Sequence, residues 1–360
     1  MKVLHVEAGR FLYGGAQQVV WLNEGLACRG VENVLVCPIG SEVATAVAGN
    51  ARVHAIKMSG DLDLGLVPRL TRIIRAEKAD LVHIHSRRGA DIYGGLAARI
   101  MGIPAILSRR VDNKESRLLS PFKYALYGRV VVISKAIGSV LVSGGVDASK
   151  IETVRSAVNA DAYITEADKD WFEAEFSLPS DSKTVGVIAQ LIPRKGHKYL
   201  FNILPYLIKA HPQLQVLIFG QGPLATELTS RVSQPEFEGR VKMVGFRDDL
   251  HRVLPNLYAV VHPAEREGLG VALLQASASG VPIVAAKAGG IPEIVLDDVN
   301  GITFDIADEA GLLSALDALL ANKQLRDTLG AGGIHLARSE FSIDAMVEGN
   351  LNVYQSVLGS

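Results

Sequence analysis

The feature that most constrains this chain is a rhythm. Short β-branched runs alternate with longer helical patterns along most of its 360 residues. KVLHV opens as a buried strand, a Gly-rich turn follows, and the pattern predicts a helix over 16–29. NVLVCP, RVHAI, DLVHIH, PAILS and RVVVIS continue as strands, with helical segments between most of them. Such a sequence predicts a parallel α/β sheet covered on both faces. Near 160–182 the rhythm lapses into a polar stretch, read as an inter-domain connection. It resumes with TVGVIA, QVLIFG, VKMVG, AVVHP, PIVAA and GITF. Two successive α/β domains of similar size are therefore expected, at 1–165 and 166–340. A last helical stretch, 343–357, has no strand after it and is free to dock elsewhere.

Composition narrows the class. With 48% hydrophobic and 21% charged residues, the chain can bury sizeable cores. Cys28 and Cys37 form neither a disulfide framework nor a metal spacing, which fits a reducing cytoplasm. The N-terminus lacks the apolar core of a signal peptide, and no apolar run approaches about 18 residues, so no membrane span is expected. The net charge of −1 hides an asymmetry: residues 1–165 carry 21 Lys+Arg against 14 Asp+Glu, and the remainder 16 against 24. A basic half suggests an anionic partner. Nucleic acid is disfavoured, because interleaved aromatics for base stacking are missing. An anionic lipid, sugar or membrane surface fits better, and a solvated surface with a chance imbalance is the plain alternative.

In open parallel sheets ligands bind beyond the carboxyl ends of the strands, so loops after strands are where chemistry is expected. GRFLYGGAQQ follows the first strand; Gly14 and Gly15 allow close backbone approach at a helix N-terminus. It is no GxGxxG, so a nicotinamide or flavin site is disfavoured. IHSRRGAD and SRRVDNKE each present an Arg pair, Arg87 with Arg88 and Arg109 with Arg110. Two such pairs at one sheet end make a trap for carboxylate or phosphate. His85 is either a general base or a packed loop histidine. AQLIPRKGHKYL places Arg194 and Lys195 before Gly196, where a cation can neutralise a diphosphate leaving group. FGQGP, with Gly220 and Gly222, suits close contact with a ring or phosphate. In HPAEREGLGVALLQA, Glu267 precedes Gly268, Leu269 and Gly270 and is expected at a helix N-terminus, with simple capping as the plain alternative. Gln275, eight positions on, is expected on the same helix face.

Taken together, these segments resemble the retaining GT-B glycosyltransferases of family 4. The resemblance spans the chain and is densest over 190–295, in RKG, FGQGP, VGF, HPAEREGLG, SGVPIVA and GGIPEIV. It implies the GT-B fold, two Rossmann-like domains facing across a cleft, with the final 341–360 segment crossing back to the first. It implies a nucleotide-diphosphate sugar as co-substrate, UDP-linked, with no metal and no other cofactor. By similarity Lys195, Glu267 and Arg194 are the catalytic residues. Gly14, Gly15, Gln190, Gly220, Gly222, Gly268, Leu269, Gly270, Gln275, Gly289 and Gly290 bind the donor. The acceptor, an anionic glycan or glycolipid of the bacterial envelope such as lipopolysaccharide core, falls to His85, Arg87, Arg88, Arg109 and Arg110. The protein is then expected in the cytoplasm, peripheral on the inner membrane face. The sequence departs from the family at three places: Gln275 stands for the second of its paired acids, Gln190 for an Arg, and Ser108-Arg109-Arg110 for a His-bearing loop. The rival readings are a sugar-nucleotide 2-epimerase of the same fold and a non-catalytic nucleotide-sugar-binding relative.

Overall fold

The computed structural model describes residues 1–87, 89–117 and 120–359. The chain divides into two compact units, Met1–Ala157 with Ile343–Ser360, and Val158–Ser342. The first is built on seven strands: β1 (Lys2–Val6), β2 (Glu32–Pro38), β3 (Arg52–Ile56), β4 (Leu81–Ile84), β5 (Ala105–Arg109), β6 (Arg129–Val132) and β7 (Ile151–Thr153). They lie in the order β3-β2-β1-β4-β5-β6-β7, every pair parallel. The second unit has six: β8 (Lys183–Ile188), β9 (Leu214–Phe219), β10 (Val241–Gly245), β11 (Ala259–His262), β12 (Ile283–Ala286) and β13 (Gly301–Phe304). Their order is β10-β9-β8-β11-β12-β13, again all parallel.

Both orders are doubly wound. Each reverses direction once, between β1 and β4 and between β8 and β11, and such a reversal opens a crevice at the carboxyl ends of the strands. The central strands β1, β4 and β11 are buried nearly throughout, as parallel strands under helices must be. All twelve strands read from the sequence are present. The thirteenth, β7, is a three-residue edge strand with no residue fully buried, too short and too polar to announce itself.

The stretch at 160–182 is more than a connection. Asp168 accepts a hydrogen bond from the Trp171 backbone N–H and starts a helix over Lys169–Glu175. Phe172 and Phe176 then pack edge to face, and Phe176 meets Phe219 at the end of β9. This short helix is thereby part of the second unit's core.

The terminal helix Ile343–Leu358 belongs to the first unit. It lies on the helix Gly14–Ala27, where Gly25 leaves room for Val347. Met346, Val347, Val353 and Tyr354 complete a core with Val3, Leu22, Leu81, Ile106 and Val131. The Tyr354 hydroxyl meets Nδ1 of His83 on β4 at 2.7 Å, which satisfies two polar groups in that core. A Cβ on Gly25 would come within 2.5 Å of Val347 Cγ2. Gly25→Ala should therefore destabilise the first unit by about 1–3 kcal/mol despite the better helix propensity of Ala. Urea unfolding checks this, and adding Val347→Ala should recover part of the loss.

Candidate functional site

In the second unit the crevice between β8 and β11 is bordered by the loops that follow those two strands. One carries Gln190, Arg194 and Lys195, the other Glu265 to Gly270. They are locked backbone to backbone. Gly196 has φ 70°, and a Cβ there would sit 1.9 Å from the Pro263 carbonyl oxygen. The Glu265 N–H donates to the Arg194 carbonyl at 2.8 Å. A third loop, after β12, closes on the same turn: Gly290 N–H donates to the Glu267 carbonyl at 3.0 Å, and Gly289, at φ 55°, presses against that oxygen. Only glycine tolerates these approaches.

The result is a part-buried charge cluster. Lys195 Nζ and His262 Nε2 both meet Oε2 of Glu267, the histidine at 2.9 Å. The other carboxylate oxygen accepts the Gly268 N–H at 3.1 Å. Burial pushes the Glu267 carboxyl up, but the His262 hydrogen bond and the Lys195 charge outweigh it and hold the group at about 2. Burial lowers the His262 pKa despite Glu267. At neutral pH His262 is therefore an uncharged imidazole that donates Nε2–H to a carboxylate. Beside it His197 is buried with no hydrogen-bond partner on either ring nitrogen, and burial brings its pKa down to about 4. His262 and His197 were not singled out from the sequence. His262 reads there only as the end of a strand, and its position next to Glu267 comes from the turn between them.

Other expected donor residues have different surroundings. Glu267 lies in the turn, ahead of the helix Val271–Ala278, so Glu267 and Gln275 do not share a helix face as the spacing suggested. Gln275 is half-buried on that helix, close to the Tyr163 phenol. The Leu269 side chain is in the core, which leaves only its backbone for a ligand. Gly220 and Gly222 are explained by packing: a Cβ on either would strike the carbonyl of Ala189 or Leu191. Gln190 is exposed. Glu265 is committed to Lys198 at 2.8 Å and the Tyr199 hydroxyl at 2.7 Å.

In the first unit the crevice between β1 and β4 has a different chemistry. Gly14 and Gly15 open the helix Gly14–Ala27, whose N-cap Tyr13 offers no side-chain bond. Nothing would stand within 4 Å of a Cβ on Gly14, while one on Gly15 would touch Arg110 Cδ at 3.3 Å. The Arg110 guanidinium thus lies beside a helix N-terminus, a place that favours anions. Its Nη2 is 3.4 Å from His85 Nδ1, and its Nε is buried without a partner. Behind it runs a relay of neutral rings: His85 to His5 at 2.9 Å, and His5 to Asn33 at 3.2 Å. Burial lowers all three histidines, His5 to about 4 and His83 and His85 well below their usual value.

The four arginines expected as one trap are not deployed alike. Arg87 is half-exposed near Glu115 and Asn113. Arg109 is turned inward, 2% exposed, and is spent on Glu115 at 2.9 Å and the Asn113 carbonyl at 2.7 Å. Its place at the end of a buried strand forces that pairing, since a buried guanidinium must find acceptors. Arg88 lies outside the described residues. Among the described residues, His5, His83 and His85 form the group that could hold a metal ion, with ligand atoms within 4.8 Å of one another. Each of their ring nitrogens already has a protein partner, including Tyr354 and Ser108 for His83.

Two Rossmann-like parallel-sheet units, each with a furnished crevice, define the architecture of GT-B glycosyltransferases. The family profile for glycosyl transferases group 1 matches residues 168–335, and that for glycosyltransferase family 4 matches residues 13–162. The lipopolysaccharide core biosynthesis glycosyltransferase LpsE of Rhizobium meliloti is 24% identical, over 99% of both chains. The UDP-Gal:alpha-D-GlcNAc-diphosphoundecaprenol alpha-1,3-galactosyltransferase of Escherichia coli is 23% identical, over 73% of this chain and 72% of its own. The crystal structure of Anabaena Alr3699/HepE in complex with UDP superposes with a TM-score of 0.85 at 20% identity, covering 99% of this chain and 100% of that one. The chain belongs to the family 4 glycosyltransferases and is a glycosyltransferase of GT-B fold.

The buried imidazoles set a pH dependence. For His5 and His197 the folded pKa is depressed from 6.5 to about 4, so the unfolded chain takes up protons first on acidification. Their contribution to stability is complete above about pH 6.5 and is lost as pH falls toward about 4. The Glu267 contribution begins to decline as pH nears the ordinary carboxyl value of 4.5 and is lost as pH falls toward about 2. Urea midpoints should fall between pH 7 and pH 5, and His197→Phe should flatten that fall.

Proposed function

We propose that this enzyme moves a sugar from a nucleotide-diphosphate sugar, carried on UDP, to a glycan or glycolipid acceptor of the bacterial envelope, with retention of anomeric configuration. The observation that carries the reading is the Lys195–Glu267–His262 cluster at the crevice of the second unit. A fixed ammonium beside a fixed carboxylate suits a donor with an anionic diphosphate next to a hydroxyl-rich sugar. Three similarities support it. LpsE is named for lipopolysaccharide core synthesis, the Escherichia coli relative for a UDP-linked donor and a lipid-diphosphate acceptor, and HepE was crystallised with UDP.

In this reading Lys195 and Arg194 neutralise the departing diphosphate, with no metal or other cofactor assigned. Glu267 accepts hydrogen bonds from donor-sugar hydroxyls, held by His262 and by the N–H groups of Gly268 and Gly290 around its turn. Gln275 faces the ribose. Among the acceptor residues, Arg87, Arg110 and His85 remain, and Arg109 acts through Glu115 as a support. The acceptor oxygen bonds to the anomeric carbon as the bond to the diphosphate breaks, and the hydroxyl proton leaves with the diphosphate. The low charge burden of the neutral histidines leaves Arg110 as the cation next to the Gly14–Gly15 backbone.

A thermal-shift screen across UDP, GDP, ADP and CMP sugars checks the donor. UDP sugars should raise the melting temperature, and no shift with any of them would overturn the reading. Glu267→Gln should lower kcat about a hundredfold or more while leaving UDP affinity within a few-fold, because the carboxylate acts on the sugar and not on the nucleotide.

A further inference from the structure

Behind Arg110 runs a chain of hydrogen bonds whose direction the structure fixes. It begins at Asn33, buried near the start of β2. One end of the Asn33 amide faces the carbonyl oxygens of Asn23 and Asn50, at 2.8 and 3.2 Å. A carbonyl oxygen only accepts, so that end is the NH2 group, and the amide oxygen is the end that faces His5. His5 Nε2, 3.2 Å from that oxygen, must then carry the ring proton.

Each following step is dictated by the one before. Burial keeps His5 neutral with a single ring proton, so its Nδ1 is a lone pair. His85 Nε2, which meets that lone pair at 2.9 Å, must be the donor. Burial keeps His85 neutral as well, so its Nδ1 is again a lone pair. Facing it at 3.4 Å is Nη2 of Arg110, a group that can only donate. The opposite tautomer of His85 would set N–H against N–H at Arg110 and lone pair against lone pair at His5. His83 packs on the His85 ring, with centroids 3.9 Å apart, and is itself tied to Tyr354 and Ser108. The sequence admitted two roles for His85, general base or packed histidine. Its one proton and its one lone pair are both committed to neighbours, so it is no base.

We propose that Asn33, His5 and His85 are positioning residues that hold the Arg110 guanidinium, through this one-way chain, ready to bind an oxyanion of the acceptor. The proposal rests on the reading of Arg110 as an acceptor residue and names what keeps it in place. The guanidinium has capacity to spare, since its Nε is buried without a partner. Its stem lies against Gly15 at the start of the helix Gly14–Ala27, where free backbone N–H groups also favour an anion. Glu7, buried just past the end of β1, supports its positive charge. An arginine on a free stem loses rotamer freedom when it grips an anion, and one already held loses less. His85 thus acts through Arg110 and not by touching the acceptor.

The test starts with the unsubstituted full chain, isotopically labelled at its histidine nitrogens. Proton–nitrogen correlation spectra at neutral pH should show His5 and His85 both protonated at Nε2 and bare at Nδ1. A His85 ring protonated at Nδ1, protonated at both nitrogens, or exchanging between tautomers overturns the proposal. Inorganic phosphate and, separately, acetate are then titrated with UDP present to occupy the donor site. At least one of them should move the His85 Nδ1 signal saturably, and Arg110→Met should abolish that movement. No saturable change with either anion removes the anion role and overturns the proposal. His5→Asn keeps an acceptor oxygen in the place of Nδ1 and should bind the anion within about twofold of the unsubstituted chain, whereas His5→Gln strips His85 of its acceptor and should weaken binding about tenfold. Equal binding by these two variants would reduce the chain of bonds to packing and overturn the proposal. A protein that shows the tautomers and the anion site, but no melting shift with any nucleotide sugar, would sink the functional reading and leave the positioning of Arg110 standing.

Discussion

The second unit is organised around one ion pair, Lys195 with Glu267, largely but not wholly withdrawn from water. A pair of this kind stabilises little by itself, since both charges were better solvated outside, and losing either partner would strand the other. Its position must therefore be imposed by the backbone. The loop after β8 is clasped to the loop after β11 through Gly196 and Pro263, and the loop after β12 grips the Glu267 carbonyl through Gly289 and Gly290. Three loops, from the two strands at the reversal of the sheet order and from the neighbouring β12, converge on one carboxylate. His262 finishes the arrangement by donating a hydrogen bond without adding a charge.

The first unit solves a related problem with the opposite means. Its crevice is walled by neutral imidazoles, kept uncharged by burial, and the Arg110 guanidinium stands in front of them by the Gly14–Gly15 turn. Protonating His85 would place a second cation 3.4 Å from Arg110, so the burial that keeps the ring neutral also keeps Arg110 in place. The terminal helix takes part in this, because Tyr354 holds His83, whose other nitrogen meets Ser108 at the end of β5. A helix from the end of the chain is thus bonded to the centre of the first sheet.

The parts of the fold that repeat were legible in the sequence. Buried parallel strands need β-branched apolar runs, so twelve strands could be read directly, whereas β7 at the sheet edge carries no such demand. Lys195 and Glu267, which the structure brings together, stand out in the sequence by side-chain type. The sequence does not separate a residue's packing role from a place at the site. Arg109 looks like Arg110 in the sequence, but one residue of register sends it inward to Glu115. Gly220 and Gly222 look like a ligand-contact turn, yet carbonyls of the preceding loop occupy the space a Cβ needs. His262 shows the converse: a strand residue becomes part of the site only because the turn after it folds back.

The same physics explains why position 275 tolerates an amide. The crevice already holds one carboxylate whose charge is fixed and whose counterion is Lys195. A second carboxylate at the half-buried position 275 would have to be desolvated beside the Tyr163 phenol, which burial already raises. An amide avoids that cost and still offers both a donor and an acceptor. The charge at Glu267 is balanced by a neighbouring ammonium. The uncharged Gln275 needs no second counterion.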